Sequence, residues 1–149
     1  MIDEFTDALV AISRHFGVLE RDTVCCGDVT VPQCVALQRL YTASMGVSTL
    51  SDYLGKSTSA TTRLVDGLES RGWIDRRPNP DDGRRVDLVL TDDGRQRAAE
   101  LRASTEVMVG EMLEHIAEDR RDDVIEALHI LETAISQCRG QCCGAFDTQ

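Results

Sequence analysis

The spacing of apolar residues predicts that the chain is mostly helical. Near the start, apolar residues recur at steps of three and four, which places them on one stripe of an amphipathic helix that runs to about Arg21. The residues of this stripe are Ile2, Phe5, Leu9, Ile12, Phe16 and Leu19. Residues 22–29 interrupt the pattern and are expected to form a loop.

A second helix is predicted to begin after Thr30 and to reach about Ser44. Threonine favours the N-cap position, and Pro32 suits the first helical turn because the N–H that proline lacks would have no partner there. Gly46 is expected to end this helix.

Two shorter helices are predicted next, over residues 48–54 and from Ser57 or Thr58 to Gly72, with Gly55 between them. The buried face of the fourth helix is predicted to be Leu64, Val65 and Leu68. Two short, tightly joined helices are typical of a helix-turn-helix, whose second helix opens towards the DNA major groove. An ordinary helical hairpin is the alternative.

A β-hairpin is predicted after the fourth helix. Residues 73–77 and 86–90 have the branched or alternating pattern of strands, and residues 78–83 are rich in turn formers. The hairpin carries arginines at both shoulders, namely Arg76, Arg77, Arg84 and Arg85. A helix-turn-helix followed by such a hairpin is a winged helix, so the predicted class is mainly α with a small β-hairpin wing.

Two further helices are predicted to complete the chain. Thr91 is expected to cap a long fifth helix that reaches about Ala117, and a sixth helix is expected to start near Asp119. The apolar stripe of the sixth helix is Val124, Leu128, Leu131 and Ile135.

Length and composition restrict the class of protein. A chain of 149 residues has the size of one domain, and 42% hydrophobic with 28% charged residues is typical of a folded protein. No run approaches the ~18 apolar residues of a membrane span, and the first residues do not resemble a signal peptide. We therefore expect a cytoplasmic protein without a membrane partner.

The charge of the chain is unevenly distributed. The net charge is −10, which taken alone argues against a polyanionic partner. Residues 56–85, however, hold seven basic and five acidic residues, a balance of +2, whereas the rest of the chain has a balance of −12. A basic element on an acidic body is compatible with nucleic-acid binding if the basic residues converge in space.

Residues 82–94, which read DGRRVDLVLTDDG, resemble the wing signature of the MarR family of transcriptional regulators. The resemblance covers nearly the whole chain and implies a single MarR-like domain over residues 1–149. It implies a winged-helix part at about 30–91, dimerisation helices at about 1–22 and 92–138, and a tail at 139–149. The implied function is a homodimeric regulator, usually a repressor, that an effector releases from a pseudo-palindromic operator on double-stranded DNA.

Residue roles follow from this interpretation. Small hydroxyls that open the recognition helix can approach phosphates and base edges, and arginine suits the negative potential of a narrow minor groove. Asp82 is expected to support the wing by pairing with a neighbouring guanidinium. The predicted DNA-binding residues are Ser57, Thr58, Ser59, Thr61, Thr62, Arg63, Arg76, Arg77, Arg84 and Arg85.

The cysteines predict an effector. The candidate ligands are Cys25, Cys26, Cys34, Cys138, Cys142 and Cys143. Thiolates prefer soft or borderline ions, so a cofactor or effector such as arsenic(III), zinc, mercury, copper(I) or an iron–sulfur cluster is expected. No C-x₂-C pair supports a structural zinc site, Cys34 also suits a small core position, and the tail cysteines also suit an incidental role.

Other functions remain as alternatives. The thiols could serve a redox or electrophile sensor, and the phenolic effectors common in the family could bind in the cleft between the dimerisation and DNA-binding parts. A winged helix used only for protein contacts is a third alternative. An enzyme is not expected, because the sequence has no phosphate loop, no redox C-x-x-C motif and no glycine-rich dinucleotide turn.

Overall fold

A computed structural model describes residues 1–15, 24–26 and 28–142, with the side chains of 24–26 and 139–142 left out of the description. The helices are α1 (Ile2–His15), α2 (Val31–Thr42), α3 (Val47–Leu54), α4 (Thr58–Ser70), α5 (Asp92–Glu114) and α6 (Arg121–Cys142). The strands are β1 (Val24–Cys26), β2 (Val29–Thr30), β3 (Ile74–Pro78) and β4 (Val86–Leu90). The predicted class, mainly helical with a β-hairpin wing, is confirmed.

The chain divides into two compact units, residues 1–105 and residues 106–149. The predicted boundary between residues 91 and 92 falls inside the first unit. The core of the first unit is formed by α2, α3, α4, the β3–β4 hairpin and the start of α5. Its fully buried large side chains are Leu37, Leu50, Leu68, Ile74, Leu88, Leu101, Val29, Val65 and Thr61.

Helix α2 begins as its sequence predicts. Thr30 occupies the N-cap position, and the side chain of Gln33 accepts a hydrogen bond from the Thr30 backbone N–H at 3.1 Å. The role predicted for Gly46 is wrong. Helix α2 ends at Thr42, and Gly46 is the extended N-cap residue of α3 with φ −72° and ψ 162°, a backbone conformation that does not require glycine.

Helix α4 has a defined cap at each end. The Ser57 hydroxyl accepts a hydrogen bond from the Ala60 N–H at 3.3 Å, which satisfies one of the free amides of the first turn. At the other end, Gly72 adopts a φ of +72°, so that its N–H bonds the Glu69 carbonyl and the Trp73 N–H bonds the Leu68 carbonyl. This pair of bonds is a Schellman motif, and it turns the chain directly into β3.

The β3–β4 hairpin is the predicted wing. Its antiparallel register runs from Ile74 opposite Leu90 to Pro78 opposite Val86. The Leu88 N–H also bonds the Met45 carbonyl at 2.8 Å, so the segment between α2 and α3 adds a third line of backbone pairing to the wing. The wing is therefore joined by its backbone to the helix-turn-helix.

The start of the chain differs from the predicted pattern. Helix α1 is described to His15, and the predicted continuation through Phe16, Leu19 and Arg21 lies outside the described residues. The predicted loop at 22–29 contains β1 and the first residue of β2, and these two strands pair antiparallel. Strands of three and two residues are too short to show an alternating pattern, which is why the sequence did not indicate them.

The second unit contains the end of α5, a short 3₁₀ turn at Glu118–Arg120 and α6. The Arg121 guanidinium donates to the Ile116 carbonyl at 3.3 Å and joins the end of the α5 segment to the start of α6. Several large apolar side chains of this unit are exposed, among them Val107, Met108, Met112, Leu128, Ile130 and Ile135. None of the described helices combines the length and apolarity that crossing a membrane requires.

Candidate nucleic-acid interface

The start of α4 gathers most of the predicted hydroxyl groups. Ser57, Thr58 and Ser59 are exposed, and the Oγ atoms of Ser57 and Ser59 lie 3.2 Å apart. The Thr62 hydroxyl donates to the Thr58 carbonyl at 2.8 Å, one turn earlier in the helix. The exposed end of α4 therefore presents a small polar surface of hydroxyl groups.

Thr61 does not belong to this surface. Its side chain is fully buried, and its Oγ1 atom has no hydrogen-bond partner among the described residues. The physical reason is helical spacing, because Thr61 lies four and seven residues before Val65 and Leu68 and so shares their buried face. The prediction that Thr61 contacts DNA is corrected: Thr61 is a core residue.

Two cations beside this surface have no internal carboxylate partner. Arg63 is exposed on α4, and Lys56 is exposed in the turn between α3 and α4, where Gly55 adopts a left-handed conformation with φ 61°. Within the described part of the chain, neither side chain forms an ion pair. Both charges are available to an external anion.

The arginines at the base of the wing are paired. The Arg76 guanidinium binds Asp66 at 2.6 Å and also binds Glu69, both on α4. The hydrogen bond that Arg76 donates to Asp66 is the main reason that the pKa of Arg76 is raised, and the charge of Glu69 adds to it. Arg77 pairs with Asp75 at 3.0 Å. Arg76 therefore attaches β3 to α4 and its charge is largely compensated within the protein.

The turn of the wing is organised by Asn79, which the sequence analysis did not single out. The Asn79 side-chain oxygen accepts the backbone N–H groups of Asp81 and Asp82 at 2.9 Å. Its amide group donates to the buried Asp87 carboxylate at 2.6 Å. Asparagine in a turn commonly bonds the backbone two residues later, so the Pro78-Asn79-Pro80 context was a usable signal.

Asp82 supports the wing differently from the prediction. Its carboxylate accepts the backbone N–H of Arg84 at 3.1 Å instead of pairing with a guanidinium. The reason is proximity, since an aspartate reaches the amide two residues later without extending into solvent. The side chains of Arg84 and Arg85 are exposed and form no ion pair with any residue that the structure describes.

The wing and α5 meet at a close backbone contact. The Thr91 N–H bonds the Trp73 carbonyl at 3.1 Å, and the Thr91 hydroxyl donates to the Gly72 carbonyl at 2.6 Å and accepts the Gly94 N–H at 3.0 Å. A Cβ atom at Gly94 would lie 1.9 Å from the Trp73 carbonyl oxygen. The end of the predicted wing signature therefore has a structural role, which is to seat α5 against the junction of α4 and β3.

The cysteines fall into separate parts of the chain. Cys34 is buried in the core of the first unit, where the Gln38 side chain donates to its sulfur at 3.3 Å, and Cys138 is exposed on α6 in the second unit. The side chains of Cys25, Cys26 and Cys142, and the whole of Cys143, lie outside the described residues. In the described part of the chain, no three histidine, cysteine or acidic side chains form a candidate metal group. Thiol ligation stays a prediction.

The fold and the surface define a winged helix-turn-helix protein, and comparison with known proteins identifies its kind. Residues 29–86 match the model of the MarR family. The uncharacterized HTH-type transcriptional regulator YdgJ of Bacillus subtilis (strain 168) is 31% identical over 104 residues, which are 69% of this chain and 63% of YdgJ. The transcriptional repressor MprA of Escherichia coli (strain K12) is 40% identical over 62 residues, 42% of this chain and 35% of MprA.

A solved structure agrees over almost the full chain. Streptococcus pneumoniae FabT in complex with DNA superimposes with a TM-score of 0.76, covering 92% of this chain and 99% of FabT at 20% identity. The chain belongs to the MarR family, through a winged-helix region of residues 29–86. MarR-family proteins are transcription regulators and not enzymes, so the prediction that the chain is no enzyme is confirmed by its family.

Proposed function

We propose that the protein is a homodimeric DNA-binding repressor that recognises a pseudo-palindromic operator. The observation that carries the proposal is the exposed start of α4, where Ser57, Thr58 and Ser59 lie beside the unpaired cation Arg63. The wing contributes two further cations, Arg84 and Arg85, which have no ion-pair partner in the part of the chain that the structure describes. Hydroxyl groups and free guanidinium groups are the donors that phosphates and base edges accept.

The distribution of charge favours this assignment. In residues 56–85, Arg76 and Arg77 are compensated by Asp66, Glu69 and Asp75, as described above. The cations of this segment that have no ion-pair partner among the described residues lie at the start of α4 and at the tip of the wing. These are the two places at which a winged helix meets the major and minor grooves. The acidic remainder of the chain therefore does not oppose DNA binding at this surface.

The proposed dimer is supported by apolar side chains that the single chain leaves exposed. On α1, Ile2 is 78% exposed and Phe5 is 55% exposed, although both belong to the apolar stripe. The second unit exposes further apolar residues on α5 and α6. Apolar faces of this extent are normally covered. A second copy of the chain is the proposed cover, and homodimers are typical of the family.

Repression is proposed from the relatives. MprA is named a transcriptional repressor, and it is 40% identical to this chain over 62 residues. FabT was solved in complex with DNA. Neither protein shares enough of its length or sequence to carry its own operator or effector over to this chain.

The test begins with selection of duplexes from a random pool by the purified protein, followed by fluorescence anisotropy with the selected duplex over a range of salt concentrations. We expect two inverted half-sites about one helical turn apart and an affinity that falls steeply with salt. The control variant is Glu114→Gln, which changes one charge at the far end of α5. Selection of no duplex, or binding that does not respond to salt, would remove the proposal in favour of a protein-binding winged helix.

For the effector, we propose a thiophilic metal or metalloid such as trivalent arsenic, with a redox or electrophile sensor and a phenolic ligand as the alternatives. Support comes from chain position, because β1 carries Cys25 and Cys26 and contacts α2, whose first turn carries Cys34. An ion bound by thiolates of both elements would hold β1 and α2 together. A ligand shifts a conformational equilibrium only if it binds one conformation more tightly than the other.

The effector test is a DNA-binding titration with arsenite, zinc, mercury and peroxide. It is repeated on the Cys25→Ser/Cys26→Ser variant and on a chain that ends at Ser136. We expect arsenite to release the DNA from the parent and to act weakly on the double variant. A reversible response to peroxide alone favours the redox sensor. Equal responses of all three proteins make the cysteines irrelevant and favour a phenolic ligand.

A further inference from the structure

A cluster of charged and aromatic side chains lies at the C-terminal end of α4, whereas the residues proposed to face DNA lie at its N-terminal end. The Asp28 carboxylate, between β1 and β2, binds Arg71 at 2.8 Å and Arg97 at 3.2 Å. Arg71 is the C-cap residue of α4, and Arg97 lies in the second turn of α5. One carboxylate thus joins the β1–β2 hairpin to both helices.

Trp73 lies at the centre of this cluster. The guanidinium carbons of Arg71 and Arg97 lie 4.9 Å and 5.9 Å from the centroid of the indole ring. The backbone of Trp73 bonds the start of α5 through Thr91 and closes the Schellman motif of α4. We call Asp28, Arg71, Trp73 and Arg97 the Trp73 cluster. It is the point at which β1–β2, α4, β3 and α5 are held together.

We propose that Asp28 is a positioning residue for DNA binding, which holds the C-terminal end of α4 through the Trp73 cluster and so sets the direction of the helix. This inference rests on the proposed function, because it concerns the same recognition helix. Asp28 itself does not lie among the residues that face DNA.

The length of α4 makes the position of its N-terminal end sensitive to the contacts that hold its C-terminal end. A helix of 13 residues is about 20 Å long, so a tilt of about 5° at its C-terminal end moves its N-terminal end by about 1.7 Å. Hydrogen bonds tolerate only a few tenths of an ångström around about 2.9 Å. A small loss of support at Arg71 therefore misplaces Ser57 and Ser59 relative to DNA.

The direction in which Asp28→Asn changes DNA affinity distinguishes a positioning role of Asp28 from a simple effect of its charge. Removing a carboxylate from a protein reduces its repulsion of DNA, so charge alone predicts that Asp28→Asn binds DNA more tightly. Loss of positioning predicts weaker binding. Because the Asp28 side chain is 64% exposed, the loss of its ion pairs is expected to leave the thermal midpoint near that of the parent.

The experiment compares Asp28→Asn, Asp28→Glu and the matched charge control Asp7→Asn, which changes an exposed aspartate on α1. DNA affinity is measured with the duplex selected by the parent. We expect Asp28→Asn to bind about fivefold more weakly, the effect of about one net hydrogen bond. Asp28→Glu retains a carboxylate and is expected to bind more tightly than Asp28→Asn. Asp7→Asn reports the effect of charge alone.

A second measurement, the fluorescence of Trp73, detects changes in the Trp73 cluster in the absence of DNA. Trp73 is the only tryptophan of the chain, so its fluorescence reports the surroundings of this one ring. We expect the Trp73 emission to change in Asp28→Asn and to stay unchanged in Asp7→Asn. Affinity equal to or tighter than that of the parent, or unchanged Trp73 emission in Asp28→Asn, overturns the inference. If the parent itself binds no duplex, the proposed function fails as well.

Discussion

The two ends of the wing carry the same kind of side chain in opposite situations. At the base, the guanidinium of Arg76 is enclosed by Asp66 and Glu69 of α4, and Arg77 is paired with Asp75. At the tip, Arg84 and Arg85 have no such partner among the described residues, and the turn is held by backbone bonds to Asn79 and Asp82. The carboxylates that the fold places beside an arginine of the wing therefore decide whether its charge is used inside the protein or is available to an external anion.

The same contrast separates stability from binding. At the base, Arg76 connects β3 with α4, so its removal should act mainly on folding. The side chains of Arg84 and Arg85 at the tip form no ion pair with a described residue, so their removal should act mainly on DNA affinity. The following four predictions test this division, beginning with the largest expected effect.

The contact of Gly94 with Trp73 belongs to the base of the wing, and Gly94→Ala should be the most damaging change. A Cβ atom there meets backbone atoms that cannot rotate away, so α5 must move. We expect a loss of about 3 kcal/mol or more in the free energy of unfolding, measured by urea titration. The matched control is Gly110→Ala on the same helix, where a Cβ atom meets nothing within 4 Å. The control should be neutral or slightly more stable.

At the tip, Arg84→Ala should weaken DNA binding about tenfold, or about 1.4 kcal/mol, and reduce the salt dependence by about one phosphate contact. The free energy of unfolding should stay within about 0.5 kcal/mol of the parent value. Arg85→Ala tests the neighbouring side chain in the same way. An unchanged affinity and salt slope in both variants would place the tip outside the interface.

At the base, Arg76→Ala should lower the free energy of unfolding by about 1 kcal/mol, because two carboxylates of α4 lose their partner but remain partly exposed to water. The effect should shrink at high salt, where the ion pairs are screened. The salt slope of DNA binding should not change, since no phosphate contact is lost. A reduced slope would show that Arg76 also contacts DNA.

The smallest effect is expected on α4, where the contrast is between an inward and an outward threonine. Thr61→Val replaces a buried hydroxyl without a partner by a methyl group, so the protein should become more stable by up to about 1 kcal/mol. DNA affinity should not change. Thr62→Val is the control on the half-buried side of the helix, and it removes a hydroxyl that bonds Thr58. Weaker DNA binding by Thr61→Val would show that Thr61 contributes to the DNA interface after all.

Local rules were sufficient for most of the secondary structure. Helix caps and helix-ending glycines lie where the sequence predicted them, because a cap depends on backbone groups only a few residues away. They are Thr30, Ser57 and Thr91 at helix starts and Gly55 and Gly72 at helix ends. Gly46 was misinterpreted since glycine is also common in extended backbone. The β1–β2 pair was missed because it is too short to show a period.

The candidate site was predicted less completely. Hydroxyl and guanidinium groups were selected by residue type, and this selection took the exposed Ser57, Arg63 and Arg84 together with the buried Thr61 and the paired Arg76. Thr61 could have been excluded by its spacing from Val65 and Leu68. The pairing of Arg76 with Asp66 and Glu69 could not, because it joins residues seven and ten positions apart across a turn of the chain.

The sequence by itself determined the order of helices and strands, the caps between them and the resemblance of the wing to one family, since these depend on neighbouring residues. Only the tertiary structure decided which arginines are compensated, how Asp28 reaches Arg71 and Arg97, and why Gly94 must lack a side chain. Those properties depend on distances between groups that lie far apart in the chain, and such distances exist only after the core has packed.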